Sequence, residues 1–370
     1  MRKWMMLVAF CSFMLSGCTT NVKEYVIKGS VAWGNPDVYL TTINENGKLD
    51  TIQHVVPVNG KFEMKGNLSE PKISFLVVKD GKGRIPLLLQ DTILRVDIKA
   101  DDLSNVRNFV ARGSVLQDRK SLLDQKEIEI YQDLDSVLAR YYKAESEHNI
   151  MEKMHEMASL QVMSELYNQE ENRFIQENRD NILGLSLVFY RYQHLNYEQL
   201  KPKFDMLSET MKKTPEGLLI AARYDKLGEV KVGATAHDFK IRTMQGDTLR
   251  LYGTRGSVKI LDFWASWCGP CRQEMKNLRE QYAEFKDQGV RIMSISLDDS
   301  VEKWKKACEE EQIPWISVRD DNGWSKSEIR KLFGIQAIPF IVLLDKDGNI
   351  VAKNIRRNSL REKIVELLQK

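Results

Sequence analysis

Apolar positions recur along the chain in three successive rhythms. Between residues 24 and 115 they come in short β-prone runs at 25–27, 38–40, 55–58, 61–65, 73–78 and 93–98. Gly34-Asn35-Pro36, Asn46-Gly47, Asn59-Gly60 and Asp80-Gly81 separate these runs, and such residues favour turns. Asn59-Gly60 predicts the clearest hairpin, because both residues tolerate positive φ. Strands this short and closely spaced predict a small all-β sandwich or barrel over 24–115.

Residues 116–227 change rhythm. Pro and Gly become rare, while Leu123, Ile130, Leu134, Leu138 and Tyr141 fall at helical spacing, as do Met151, Met154, Ala158, Val162 and Leu166. The spacing predicts two long helices, then shorter ones near 182–194, 197–211 and 215–227. Thr214-Pro215 reads as an N-cap with proline in the first turn. The methionines allow a groove for partners, but ordinary bundle core is the expected role of that stripe. Residues 228–236 read as a linker. From 238 onward strands and helices alternate: strands at 258–264, 290–297, 339–344 and 350–354, helices at 270–287, 301–311, 325–333 and 360–368. That order predicts an α/β domain over 233–370, a central sheet flanked by helices.

Composition narrows the class. The 370 residues allow two or three domains. Apolar residues make up 42% and charged residues 29%, and the net charge is +3. That is the balance of a globular protein, without the basic excess of a nucleic-acid binder. Five cysteines are too few for a disulfide scaffold.

The first residues read as an address. Arg2 and Lys3 precede an apolar stretch over 4–15, too short to span a bilayer. It runs into Leu15-Ser16-Gly17-Cys18, which resembles the lipobox of bacterial lipoproteins. The resemblance implies a signal peptide at 1–17, lipidation of Cys18 and a short tether at 18–23. Loss of Arg2 and Lys3 lowers the net charge to +1, so acyl chains rather than charge are the expected anchor. The body is then expected in the cell envelope on the periplasmic side. Thr19, in place of Asp, favours the outer over the inner membrane.

With Cys11 removed and Cys18 lipidated, Cys268, Cys271 and Cys308 remain. Trp267-Cys268-Gly269-Pro270-Cys271 follows an apolar strand and opens a helix. Free N–H groups and the helix dipole there favour a thiolate on Cys268. Cys271 lies one turn on, within reach as the resolving thiol. A zinc site needs two more ligands, and the nearest preceding histidine is His237, so redox chemistry is expected and no metal. Cys308 in Trp304-Lys305-Lys306-Ala307-Cys308 reads as a half-buried helix residue rather than a third redox partner.

The stretch Phe263-Trp264-Ala265-Ser266-Trp267-Cys268-Gly269-Pro270-Cys271 resembles the thioredoxin active-site signature. The resemblance covers 233–370, and its lead-in hairpin and the charged segment from Asp298 to Lys331 are more similar to TlpA/ResA-type thiol-disulfide oxidoreductases. Residues 24–115 resemble the β domain of unknown function that often precedes such domains. The resemblance implies a thioredoxin-like fold for the C-terminal domain and a cis-proline loop at Ala337-Ile338-Pro339-Phe340. Asp262, in phase with Ile260 and Trp264, and Glu274, on the Cys271 face of its helix, both match acids of the family. Carrying both is a departure, and which one takes the proton of Cys271 stays open. Trp267, Gly269, Pro270 and Ile338 are the expected substrate contacts, and Trp264 and Trp267 the expected apolar surround of the sulfurs.

The expected function is an anchored thiol-disulfide oxidoreductase without a dissociable cofactor. Its expected partners are disulfide-bearing extracytoplasmic proteins and a membrane electron donor, with no nucleic acid. Gly269-Pro270 and Ile338 resemble reducing members, which implies net reduction. A thiol peroxidase of related fold and a binding or scaffold lipoprotein with a secondary redox domain are the alternatives.

Overall fold

The computed structural model describes residues 23–44, 47–254 and 256–369. The leader at 1–17, Cys18, the tether up to residue 22 and Asn46 of the Asn46-Gly47 turn lie outside the described residues. The chain forms two compact units, Met1–Glu171 and Asn172–Lys370.

The first unit opens with β1 (Lys23–Val31), β2 (Val38–Ile43), β3 (Leu49–Val55), β4 (Lys61–Leu68), β5 (Lys72–Val78), the two-residue β6 (Lys82–Gly83), β7 (Ile85–Leu89), β8 (Ile93–Ile98), the two-residue β9 (Asp102–Leu103) and β10 (Phe109–Arg112). These build two four-stranded sheets, β10-β8-β1-β4 and β3-β2-β5-β7. Ile27, Met64 and Leu94 from one sheet share a buried cluster with Leu40, Leu76 and Leu87 from the other. The expected all-β domain is therefore a sandwich. Its clearest turn forms as expected, with Asn59 at φ 52° and Gly60 at φ 71°. It does not make a hairpin: a single bridge, Val58 to Lys61, closes it, and β3 and β4 enter opposite sheets. The strand expected at 55–58 is displaced to 49–55. β3 is a sheet edge with mostly exposed side chains, so no apolar alternation marks it.

Three helices come next, α1 (Val115–Ile130), α2 (Leu134–Ser146) and α3 (Ile150–Glu177). The first long helix expected from the sequence is thus broken in two. The Tyr131 carbonyl at the break accepts from Leu134 N–H at 3.2 Å and from Arg107 Nη2 at 3.0 Å, in place of a continuing i+4 bond. The stripe on α3 is also corrected. Met151, Met154, Val162 and Leu166 are 77%, 61%, 58% and 48% exposed, and Ala158 is exposed too. The inward face of α3 is instead mixed, with Glu156 and Glu171 buried as well as Phe174 and Ile175. Arg140 of α2 grips the buried Glu156 with bonds of 2.6 and 3.0 Å, and Tyr167 packs on Tyr131 with ring centroids 5.9 Å apart.

The second unit takes the end of α3 and adds α4 (Ile182–Arg191), α5 (Tyr197–Met206), α6 (Glu209–Lys212) and α7 (Pro215–Gly228). Thr214 caps α7 as expected, accepting from Gly217 N–H at 3.1 Å. The boundary between units lies inside α3, so α4–α7 share a unit with the C-terminal α/β region. Residues 228–236 are not a free linker. Gly233 donates to Ile350 O at 2.7 Å, Ile350 to Ala234 O at 2.8 Å and Ala236 to Gly348 O at 2.9 Å, while Val230 and Ala236 are buried.

Beyond them come β11 (Lys240–Thr243), β12 (Thr248–Arg250), β13 (Val258–Trp264), α8 (Gly269–Phe285), β14 (Val290–Ser296), α9 (Val301–Glu310), β15 (Ile316–Arg319), α10 (Gly323–Lys326), α11 (Glu328–Leu332), β16 (Phe340–Leu344), β17 (Ile350–Lys353) and α12 (Arg357–Leu368). They form a seven-stranded sheet ordered β12-β11-β15-β14-β13-β16-β17. β13, β14 and β15 run parallel, and β16 pairs antiparallel with β13. Apolar clusters cover both faces. Central β13 is therefore buried at every position, as a strand covered on both faces must be. This is the expected α/β thioredoxin-like domain.

Candidate active site

The side chains of β13 alternate between the two apolar clusters. Val258, Ile260 and Trp264 join the one that holds Cys268, Cys271 and Trp315. Leu261 and Phe263 join the other. The two-residue period of a strand therefore turns Asp262 toward the cysteine side.

β13 ends at Trp264, and α8 starts five residues later with Cys268 as its N-cap. Cys268 Sγ accepts the Cys271 N–H at 3.2 Å, and its carbonyl accepts the Arg272 N–H at 3.2 Å. Pro270 occupies the first turn, where no partner is missed for the absent N–H. No atom stands within 4 Å of where a Gly269 Cβ would be, so the backbone there is open to approach. Cys268 and Cys271 are joined in a disulfide, with Cα atoms 5.2 Å apart. Cys268 is 6% exposed and Cys271 1%, which makes Cys268 the sulfur an incoming disulfide meets first.

Asp262 is 1% exposed. Burial pushes its carboxyl up to about 7. A bond from Ser294 Oγ at 2.7 Å and the charge of Arg356 oppose the rise, and the charge of Glu274 adds to it. Glu274 is buried on α8 beside Cys271 and Met275. It accepts from Asn277 Nδ2 at 3.0 Å and from the backbone N–H of Arg357, which opens α12, at 3.4 Å. The two acids predicted from the sequence thus lie within electrostatic reach of each other.

The Ile338–Pro339 bond is cis. Pro339 is buried, its carbonyl accepts from Arg356 Nη2, and the half-buried Ile338 packs against the cluster containing both cysteines. Trp264 is fully buried there. Trp267 differs from the expectation: it is 58% exposed, so it is a surface ring beside Cys268 rather than a wall around the sulfurs. It meets Trp324 edge-to-face at 6.1 Å, and the Arg330 guanidinium lies 4.6 Å above the Trp324 ring. Cys308 is buried, free and pushed up to about 11 by burial, consistent with a packing residue.

Sequence reasoning missed the partners that hold the site. Asp298, buried after β14, accepts the Ser266 N–H at 2.9 Å, the Ser266 hydroxyl at 2.6 Å and the Ser296 hydroxyl at 2.7 Å. It fixes the loop that delivers Cys268. Arg272 is clamped by Glu311 at 2.7 Å and Glu310 at 2.6 Å. Two serines at alternate positions in the apolar run Ile292-Met293-Ser294-Ile295-Ser296 were the available signal. Their face could not be known without the register that sets Asp262 opposite Ser294.

Comparison with known proteins agrees with this geometry. Residues 232–353 match the AhpC/TSA family, and residues 25–119 match a domain of unknown function, DUF4369. Thiol-disulfide oxidoreductase ResA of Geobacillus thermodenitrificans is 31% identical over 140 residues, covering 38% of this chain and 78% of the relative. ResA of Bacillus cereus is 28% identical over 147 residues, covering 40% and 82%. Among solved structures, a thiol-disulfide oxidoreductase from Bacteroides fragilis is 32% identical, covers 36% of this chain and 98% of its own, and has a TM-score of 0.35. The site geometry and the extent of the Geobacillus match lead to one conclusion: the chain belongs to the ResA-type thiol-disulfide oxidoreductases and is a redox enzyme.

Proposed function

We propose that this enzyme is a lipid-anchored reductase of protein disulfides on the extracytoplasmic side of a bacterial membrane. The observation that carries the reading is the cysteine pair at the start of α8, with a buried carboxyl on the same side of the facing strand.

In the reduced protein, Cys268 Sγ is the nucleophile. Its thiolate attacks one sulfur of a client disulfide, the client S–S bond breaks, and one client thiolate leaves. Cys271 then gives its proton to Asp262, with Glu274 the nearby alternative, and attacks Cys268 Sγ. The mixed disulfide breaks, Cys268–Cys271 forms, and the second client thiolate leaves. The client gains two electrons and the enzyme loses two. A membrane-bound dithiol donor restores them, so the dithiol itself is the redox group. Trp267, Gly269, Pro270, Ile338 and the cis Pro339 loop are the surface on which the client strand lies.

Gly269-Pro270 and Ile338 favour reduction as the net direction, and Cys18 is the acylation site that holds the chain to the membrane, the outer one by Thr19. The AhpC/TSA match favours a second reading, a thiol peroxidase, yet a resolving cysteine one turn away suits disulfide exchange better. Trapping decides between them. Cys271→Ser is expected to accumulate client proteins covalently on Cys268, released by reductant. If that variant traps no protein but consumes peroxide with an added thiol, the peroxidase reading replaces this one.

A further inference from the structure

Ser294 is fully buried on β14, opposite Asp262 on β13. Its oxygen makes two hydrogen bonds, one with Trp315 Nε1 at 2.8 Å and one with Asp262 Oδ2 at 2.7 Å. An indole N–H only donates, and a serine hydroxyl carries one proton. Ser294 Oγ must therefore accept from Trp315, which leaves its own proton for Asp262. The direction of the chain is fixed as Trp315 to Ser294 to Asp262. Tyr282 packs edge-on against Trp315, with ring centroids 5.3 Å apart, and helps keep the indole in place.

An oxygen that already accepts a short hydrogen bond is a poor place for an acid proton. We propose that Ser294, oriented by Trp315, is a positioning residue that confines the transferable proton of Asp262 to Oδ1 and weakens the hold of the carboxyl on that proton. The inference rests on the reading of Asp262 as the acceptor for Cys271. It adds a residue pair that sets how readily the acceptor takes a proton and from which side.

The charged groups acting on Asp262 are Glu274 from α8 and Arg356 from the segment before α12. β16 sets Ile341 opposite it. Ser294 is the neutral donor among these neighbours, so it can be removed without altering the charge around the site. Burial, with a smaller push from the charge of Glu274, raises the carboxyl, and the Ser294 bond acts against that rise.

The test is a carboxyl-carbon NMR titration of Asp262 in the full chain, run beside the pH profile of disulfide reduction. Ser294→Ala is expected to move the Asp262 midpoint upward by about one pH unit, the scale of one hydrogen bond to a charged group. Ser294→Thr keeps the hydroxyl and should keep the midpoint. Trp315→Phe frees the hydroxyl to turn away and should give a smaller rise. The profile is expected to follow the midpoint in each variant. An unmoved midpoint in Ser294→Ala overturns the inference whatever the kinetics. A moved midpoint with an unmoved profile upholds the hold of Ser294 on Asp262 and overturns Asp262 as the acceptor.

Discussion

Asp298 accepts from both hydrogen-bond donors of Ser266, the backbone N–H at 2.9 Å and the hydroxyl at 2.6 Å. Ser266 lies two residues before Cys268, so the loop that carries the nucleophile into α8 is anchored to the end of β14. Asp298 is buried, and its own carbonyl accepts from Arg319 Nη1 at 3.0 Å. Asp298→Ala leaves the Ser266 N–H and two hydroxyls without their acceptor. The expected loss is about 2–4 kcal/mol of stability, with turnover falling about tenfold or more as Cys268 loses its fixed position. Denaturant melts and single-turnover rates check both. Activity and midpoint both unchanged would mean that the loop is held by other contacts.

Asp262 gives a pH dependence with a defined sign. Its folded pKa of about 7 lies above the unfolded value of 3.8, so between these pH values the folded state binds more protons. Its contribution to stability is therefore fully present below about pH 4 and declines as pH rises to about 7. Asp262→Asn keeps the shape and an acceptor for Ser294. It is expected to stabilise the oxidised protein by about 2–4 kcal/mol at pH 8 and by little near pH 4. Equilibrium unfolding at the two pH values measures this, and a gain equal at both would rule out burial of the charge as its cause.

Cys308 is expected to be silent. A thiol pushed up to about 11 and bonded to Ser317 Oγ at 3.1 Å holds only about one thiolate in several thousand at pH 7.5. Iodoacetamide should label it at least about a hundredfold more slowly than free cysteine, and Cys308→Ala should leave disulfide reduction intact. Fast labelling of Cys308 in the folded protein would restore it as a candidate redox partner.

The exposed stripe on α3 makes a stability prediction opposite to that of a core. Met154→Glu and Val162→Gln replace side chains 61% and 58% exposed, so each should change stability by no more than about 0.5 kcal/mol. Glu156→Ala, which leaves Arg140 without its partner, should destabilise the protein more than either of these. A loss of several kcal/mol in Met154→Glu would show that the stripe is buried after all.

These contrasts mark what the sequence could reveal. The redox motif, the Thr214 cap and the facing of Asp262 were legible because each depends on local spacing or on the strand period, whereas the cis-proline loop was legible only through the family resemblance. The cysteine pair needs one helical turn, and Asp262 needs only its phase with Ile260 and Trp264. Legibility failed where pairing is long-range. Asn59-Gly60 makes the expected turn, but sheet membership of the flanking strands is decided by β1 and β2, far from the turn. Glu156 is buried on α3 because Arg140 meets it there, and periodicity alone pointed to the methionine side. Ser294, Trp315 and Asp298 act only once β13, β14 and β15 are in register.

The proposed chemistry requires that Cys268, as N-cap of α8, be held as a thiolate at neutral pH. The rate of Cys268 alkylation against pH, in the reduced protein with Cys271→Ser and Cys308→Ala, reads it directly. The midpoint is expected at least one unit below the roughly 8.5 of free cysteine. A midpoint at or above that value would contradict it.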